Sequence, residues 1–184
     1  VSPSLKICFL DRDGTLNVDT GYACDVKDLQ LVPGIKEFLR ELHSLSYQFI
    51  VITNQSGIAR GYYGWTEFEN FNRALFQFLQ VPILDVFVCP HHPEGQIPEY
   101  AIKCDCRKPE PGLFYQAFAK YPNINKTASF MVGDSLRDCI AAQRAGLRSF
   151  LLSDSVAQPL PADCTMVSIY GEILSMIKKL SENR

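Results

Sequence analysis

Four short apolar runs, Ile7-Cys8-Phe9-Leu10, Phe49-Ile50-Val51-Ile52, Val86-Phe87-Val88 and Phe130-Met131-Val132, constrain this chain most. Continuous runs of that length suit strands buried on both faces, which belong to parallel sheets covered by helices on either side. Between them the apolar spacing turns helical. Pro33-Gly34 opens a stretch with Ile35, Phe38, Leu39, Leu42 and Leu45. Thr66 and Glu69 form an expected capping box ahead of Phe68, Phe71, Leu75 and Phe78. Helices are predicted over 113–121 and 136–145, the second closed by Gly146, and strands over 149–152 and 165–167. Ile173, Leu174, Ile177 and Leu180 mark an amphipathic terminal helix. The expected fold is α/β, a doubly wound and mainly parallel Rossmann-like sheet, with ligands beyond the carboxyl ends of its strands. At 184 residues, one domain over 1–184 is expected.

The polar motifs fall at those strand ends. Asp11-Arg12-Asp13-Gly14-Thr15 presents two carboxylates two residues apart, a pairing that suits a nucleophile and an acid/base group, although the same letters also describe a solvated turn. Thr53 and Asn54 close the second strand with a hydroxyl and a backbone N–H for phosphoryl oxygens, or simply end it. Lys108 offers a point charge for phosphoryl oxygens, and Arg107 a fork for a second anionic group, unless both are solvated surface. Asp134, in Gly133-Asp134-Ser135-Leu136-Arg137-Asp138, can join Asp11 in the oxygen shell that magnesium prefers, or cap the following helix. A turn-rich stretch from Asn17 to Gln30 reads as a flap after the first strand, and Tyr22 on it either lines the pocket or packs the flap.

A second constellation lies between Cys89 and Cys106. Cys89-Pro90-His91 and Cys104-Asp105-Cys106 offer three sulfurs and one imidazole, a common tetrahedral zinc set, with His92 the weaker candidate. Pro93, Gly95 and Pro98 make the intervening stretch a loop with no core of its own, which a metal clamp would stabilise. Four protein ligands would close the site to water, so the zinc-bound loop is expected to be structural. It would also fix the backbone directly before Arg107 and Lys108.

Seven cysteines would be an odd number for a disulfide framework. A formal charge of -2, with no basic stripe, argues against a nucleic-acid partner. No secretion signal or membrane-length apolar run is seen, so a cytoplasmic monomer is expected.

In order along the chain, Asp11-x-Asp13-Gly14-Thr15, Thr53, Lys108 and Gly133-Asp134-x-x-x-Asp138 resemble the motifs of the haloacid dehalogenase (HAD) superfamily. The resemblance implies Asp11 as nucleophile, Asp13 as general acid/base, and Thr53 and Lys108 as phosphoryl ligands. It places magnesium on Asp11, the Asp13 carbonyl and Asp134, with Asp138 supporting them. The second aspartate implies a phosphatase. Only a flap and one helix separate the first two motifs, so no large cap domain is expected. Longer blocks, from Asp11 to Asn17, Gly21-Tyr22, Thr53 to Gly61, Cys89 to Pro93 and Cys104 to Pro109, are similar to the heptose 1,7-bisphosphate 7-phosphatase branch. That similarity implies a small phosphorylated sugar substrate, its 7-phosphate removed during synthesis of ADP- or GDP-heptose precursors, with Arg107 helping to bind it. Ser135 departs from the lysine often found there. The rivals are a histidinol-phosphate phosphatase of the same superfamily and a non-catalytic phosphate-binding or phosphoacceptor module.

Overall fold

Alternate residues along each central strand point to opposite faces, and each face is covered by its own helices. In the computed structural model, which describes residues 3–156 and 158–182 and the side chains through 180, Ile7 and Phe9 of β1 (Lys6–Leu10) pack on one face and Cys8 and Leu10 on the other. The first face carries α4 (Gly112–Lys120) and α5 (Leu136–Arg144), and the second α1 (Ile35–Ser44), α3 (Trp65–Leu79) and α6 (Tyr170–Glu182). Each fully buried Phe or Leu in these layers stabilises the fold by about 1.5–3 kcal/mol.

The remaining elements are β2 (Tyr47–Asn54), the single turn α2 (Ser56–Ala59), β3 (Ile83–Cys89), β4 (Phe130–Gly133), β5 (Arg148–Leu152) and β6 (Cys164–Val167). All five strand pairings are parallel, in the order β3-β2-β1-β4-β5-β6. The chain winds outward from β1 through β2 to β3, then crosses back to β4 on the other side of β1. The crevice beyond β1 and β4 is therefore the topological switch point. Asp11 and Asp134 follow those two strands directly.

Two details depart from the sequence-based expectation. Helix α3 begins at Trp65 behind Gly64, whose N–H donates to Glu67 Oε2 at 2.9 Å, so Thr66 and Glu69 do not cap it. The Trp65 ring meets Phe68 edge-to-face and its indole N–H donates to Tyr100 at 3.0 Å, contacts that draw Trp65 into the first turn. At the other end Leu79 takes the core position, leaving Phe78 51% exposed, and Leu180 of α6 is also exposed. No helix among the described residues is long and apolar enough to cross a membrane.

Candidate active site

The turn after β1 admits the helix-side carboxylate only because residue 14 is glycine. Gly14 has φ +80, and a Cβ there would lie 2.0 Å from Asp134 Oδ2. The close approach brings carboxylate oxygens of Asp11, Asp134 and Asp138 within 4.8 Å of one another. Lys108 Nζ is the positive charge set among them, 2.8 Å from Asp11 Oδ1 and 2.7 Å from Asp138 Oδ1, and it also donates to Ile52 O at 2.7 Å. Burial acts against the Lys108 ammonium, but Asp11 and Asp138 outweigh it and hold its pKa above the usual value.

Two of the carboxylates are shifted upward as well, here because burial dominates. Burial pushes Asp11 up to about 7; Lys108 opposes the shift, while Asp138 and Asp134 add to it. Burial and then Asp138 push Asp134 up to about 6. Three carboxylates against one ammonium leave the cluster short of positive charge, and an all-oxygen set of this kind fits a hard divalent cation. Asp138 also accepts from Ser135 N at 3.0 Å, fixing the first turn of α5, so Asp134 is spared that capping duty.

Asp13 stands apart, held by neighbours that the motif alone does not announce. Arg12 Nη2 donates to both Asp13 oxygens at 2.9 Å, Asn17 Nδ2 to Oδ1 and Gln55 Nε2 to Oδ2, each also at 2.9 Å. Arg12 itself is 0% exposed, with its guanidinium carbon 4.9 Å from the Phe71 ring centroid and a further donor on Ala23 O. Removing one partner of a buried pair leaves the other uncompensated. Arg12→Met is therefore expected to destabilise the protein by about 3–5 kcal/mol, read as a lower urea midpoint at unchanged slope. A loss below about 1 kcal/mol would mean that Asn17 and Gln55 suffice to hold Asp13.

The other expected residues gather here with different duties. Thr53 is 1% exposed behind the cavity, its hydroxyl accepting from Gln55 Nε2 at 2.8 Å. The Asn54 amide is spent on the Lys108 backbone, donating to its carbonyl and accepting from its N–H, both at 3.0 Å. Asp11, Asp13, Asn54, Lys108, Asp134 and Tyr22 line one cavity of about 290 Å3. The same cavity is lined by Arg107, as expected, but also by Arg60, Arg137 and His92. Among the described residues neither Arg107 nor Arg137 has an ion-pair partner. The sequence offered only a weak signal for Arg60 and Arg137, each an unassigned position within a stretch already singled out for other residues.

The cysteine and histidine cluster closes as expected. Cys89 Sγ lies 3.6 Å from Cys104 Sγ and 3.7 Å from His91 Nδ1, while Cys106 Sγ lies 3.3 Å from both Cys104 Sγ and His91 Nδ1. Bonds of 2.3 Å to a tetrahedral zinc imply edges of roughly 3.7 Å, close to this spacing. The cysteines are free thiols, and hydrogen bonding with Cys89 together with burial raises the Cys106 pKa. His92 points away from the cluster, its ring 3.2 Å from Arg60 Nη2. Arg107 Nη1 donates to His91 O at 3.3 Å, tying the loop to the cavity wall.

A switch-point crevice holding a strand-end carboxylate, a buried lysine and a second carboxylate after β4 defines a phosphatase of the HAD type. The family described as Polynucleotide kinase 3 phosphatase matches residues 6–155. The D-glycero-beta-D-manno-heptose-1,7-bisphosphate 7-phosphatase of Haemophilus ducreyi is 44% identical over 80% of this chain and 82% of its own. Among solved structures, a HAD-like phosphatase from Mesorhizobium loti superposes with TM-score 0.87 at 35% identity, covering 97% of this chain and 88% of the other. The D,D-heptose 1,7-bisphosphate phosphatase of B. bronchiseptica, complexed with magnesium and phosphate, gives TM-score 0.83 at 26% identity, covering 96% and 99%. The chain belongs to the matched phosphatase family and, within it, to the heptose-1,7-bisphosphate 7-phosphatases.

Proposed function

We propose that this chain hydrolyses the 7-phosphate of D-glycero-D-manno-heptose 1,7-bisphosphate. The observation that carries the reading is a cavity whose Lys108 pole stands with the carboxylate cluster and whose lining also carries Arg107 and Arg137, neither of which has an ion-pair partner among the described residues. A bisphosphate brings a second phosphate that those arginines can pair with. Relatives named for that substrate, and a magnesium and phosphate complex in one of them, support the same assignment.

In this reading Asp11 attacks phosphorus and forms an aspartyl-phosphate while the bond to the sugar oxygen breaks. Asp13 gives that oxygen a proton, then takes one from the water that hydrolyses the acyl phosphate. Lys108 balances charge on the phosphoryl oxygens; Thr53 and Asn54 support this pole, and Asn54 does so by fixing the Lys108 backbone. Arg107 receives the second phosphate and Tyr22 covers the sugar. Magnesium, on Asp11, the Asp13 carbonyl and Asp134, would supply the positive charge that the cluster lacks. Zinc on Cys89, His91, Cys104 and Cys106 would hold the loop without taking part in hydrolysis. Reduced thiols at such a site accord with a cytoplasmic location.

The test is phosphate release in magnesium from both anomers of the heptose bisphosphate, histidinol phosphate and a 3′-phosphorylated oligonucleotide. The heptose should exceed the others in kcat/KM by at least about a hundredfold. A dominant histidinol phosphate or oligonucleotide signal would overturn the substrate, and no turnover on any would overturn the enzyme.

A further inference from the structure

At the mouth of the cavity two large aromatic rings meet outside either core layer. Tyr22 lines the cavity, and its ring meets that of Tyr62 edge-to-face, centroids 4.7 Å apart at 77°. Both remain substantially exposed, Tyr22 at 44% and Tyr62 at 57%, so the contact adds little to core burial. The backbone beneath Tyr22 is unusual: Gly21 and Tyr22 are consecutive left-handed residues, φ 75 and φ 56. A tyrosine adopts that conformation only when something outside its own backbone favours it.

Tyr62 is the better anchored of the two. Its N–H donates to Gly57 O at 2.9 Å in α2, the turn that also contributes Ser56 to the cavity. Gly57 in turn sits against the Tyr63 ring so closely that a Cβ there would lie 2.2 Å from Cε1. Tyr63 donates to Gln55, and Gln55 to Asp13. Tyr62 therefore stands beside α2, and Tyr22 on the β1–α1 connection, which lines the cavity with Asp19, Gly21 and Tyr22. Behind Tyr62 lies a second cavity of about 540 Å3, lined by Tyr62, Trp65, Ile97 and Tyr100, so no packed layer supports the ring from that side.

We propose that Tyr62 is a positioning residue, the post that holds Tyr22 and its flap closed over the sugar portion of the substrate. The proposal rests on the reading of the 290 Å3 cavity as the substrate site. Tyr62 touches none of the reacting groups. It acts by ordering Tyr22 before substrate arrives, which lowers the cost of ordering it on binding. Its loss should weaken substrate binding and leave the chemical step alone.

A double-mutant cycle on the metal-loaded enzyme tests this, with the heptose bisphosphate as substrate and inorganic phosphate as competitive inhibitor. Tyr62→Ala should raise KM about three- to tenfold, the effect expected of one aromatic pair. Its kcat should stay within about twofold, and Tyr62→Phe should behave as wild type. Inhibition by phosphate, which is too small to reach the flap, should not change. Tyr22→Ala should raise KM at least as much, and the double variant no further than Tyr22→Ala alone. An unchanged KM in Tyr62→Ala would overturn the proposal, as would a double variant whose effect is the product of the two. A weakened phosphate inhibition would instead place Tyr62 in the catalytic centre, and also overturn it. If the wild type prefers a different phosphate ester, the substrate assignment falls, and the same cycle run on that ester still decides the role of Tyr62.

Discussion

Asp11→Asn is expected to lower kcat by roughly four orders of magnitude or more, the scale seen when a covalent nucleophile is removed, while the fold survives. The amide keeps the shape of the side chain and removes only its charge. Lys108 retains Asp138 Oδ1 at 2.7 Å and Ile52 O at 2.7 Å, so it is not orphaned. The metal-free protein should even become more stable at alkaline pH. Burial raises the folded pKa of Asp11 from 3.8 to about 7, so its ionisation is less favourable folded than unfolded. The stability tied to the protonated form is whole below 3.8 and is lost as pH rises through about 7. Asparagine has no such dependence. The gain in melting temperature of Asp11→Asn over wild type, without magnesium, should therefore grow from pH 5 to pH 8. Adding magnesium should reverse the order, because the wild type then binds the cation with its full set of carboxylates. Turnover near the wild-type rate would remove Asp11 as nucleophile, and a pH-independent stability difference would remove the charge argument.

The parts legible in the sequence are those set by local pattern. β1 and β4 are short apolar runs because both of their faces are covered, and each run is followed at once by the aspartate that the switch point displays. The four zinc-type ligands were legible for a similar reason, as two close pairs joined by one loop. What stayed hidden depends on partners distant in the chain. Arg12 occupies the unassigned middle position of its motif, yet its guanidinium reaches Asn72, 60 residues on, and the carbonyl of Ala23. Gln55 follows a recognised pair, and only the folded chain shows it bridging Thr53, Asp13 and Tyr63. Asn54 lines the cavity as expected, and only the folded chain shows its side-chain amide paired with the Lys108 peptide across 54 residues. The start of α3 was misplaced because the cap is made by Gly64 and Glu67, two residues before the Thr66 and Glu69 pair, and Gly64 has no side chain to announce it.

The other large effect expected is that of Cys104→Ser, which should reduce zinc from one ion per chain to well below it and lower phosphatase activity about ten- to a hundredfold. A serine hydroxyl is a poor zinc ligand, and loss of one sulfur opens a closed tetrahedral site. Besides the cluster, the loop is held by a few side-chain contacts, Trp65 donating to Tyr100, Arg60 meeting His92 and Arg107 donating to His91 O. Between Cys89 and Cys106 it is tied back to α2 chiefly by the N–H groups of Gln96 and Ile97, which donate to Ala59 O at 2.7 and 2.9 Å. Arg107 and Lys108 follow Cys106 directly, so a loosened loop moves two of the cations that line the cavity. A strong chelator acting on the wild type should reproduce the loss, with activity recovered by zinc and not by magnesium alone. Cys164→Ser, in β6 and outside the cluster, should keep its full zinc content. Asp11→Asn should keep it too, since its defect is chemical. Zinc unchanged in Cys104→Ser would show the ligand set to be wrong. Zinc lost with activity intact would show that the loop's metal and the cavity's cations are independent, and that Asn54, Asp11, Asp138 and the Ile52 carbonyl suffice to hold Lys108 in place.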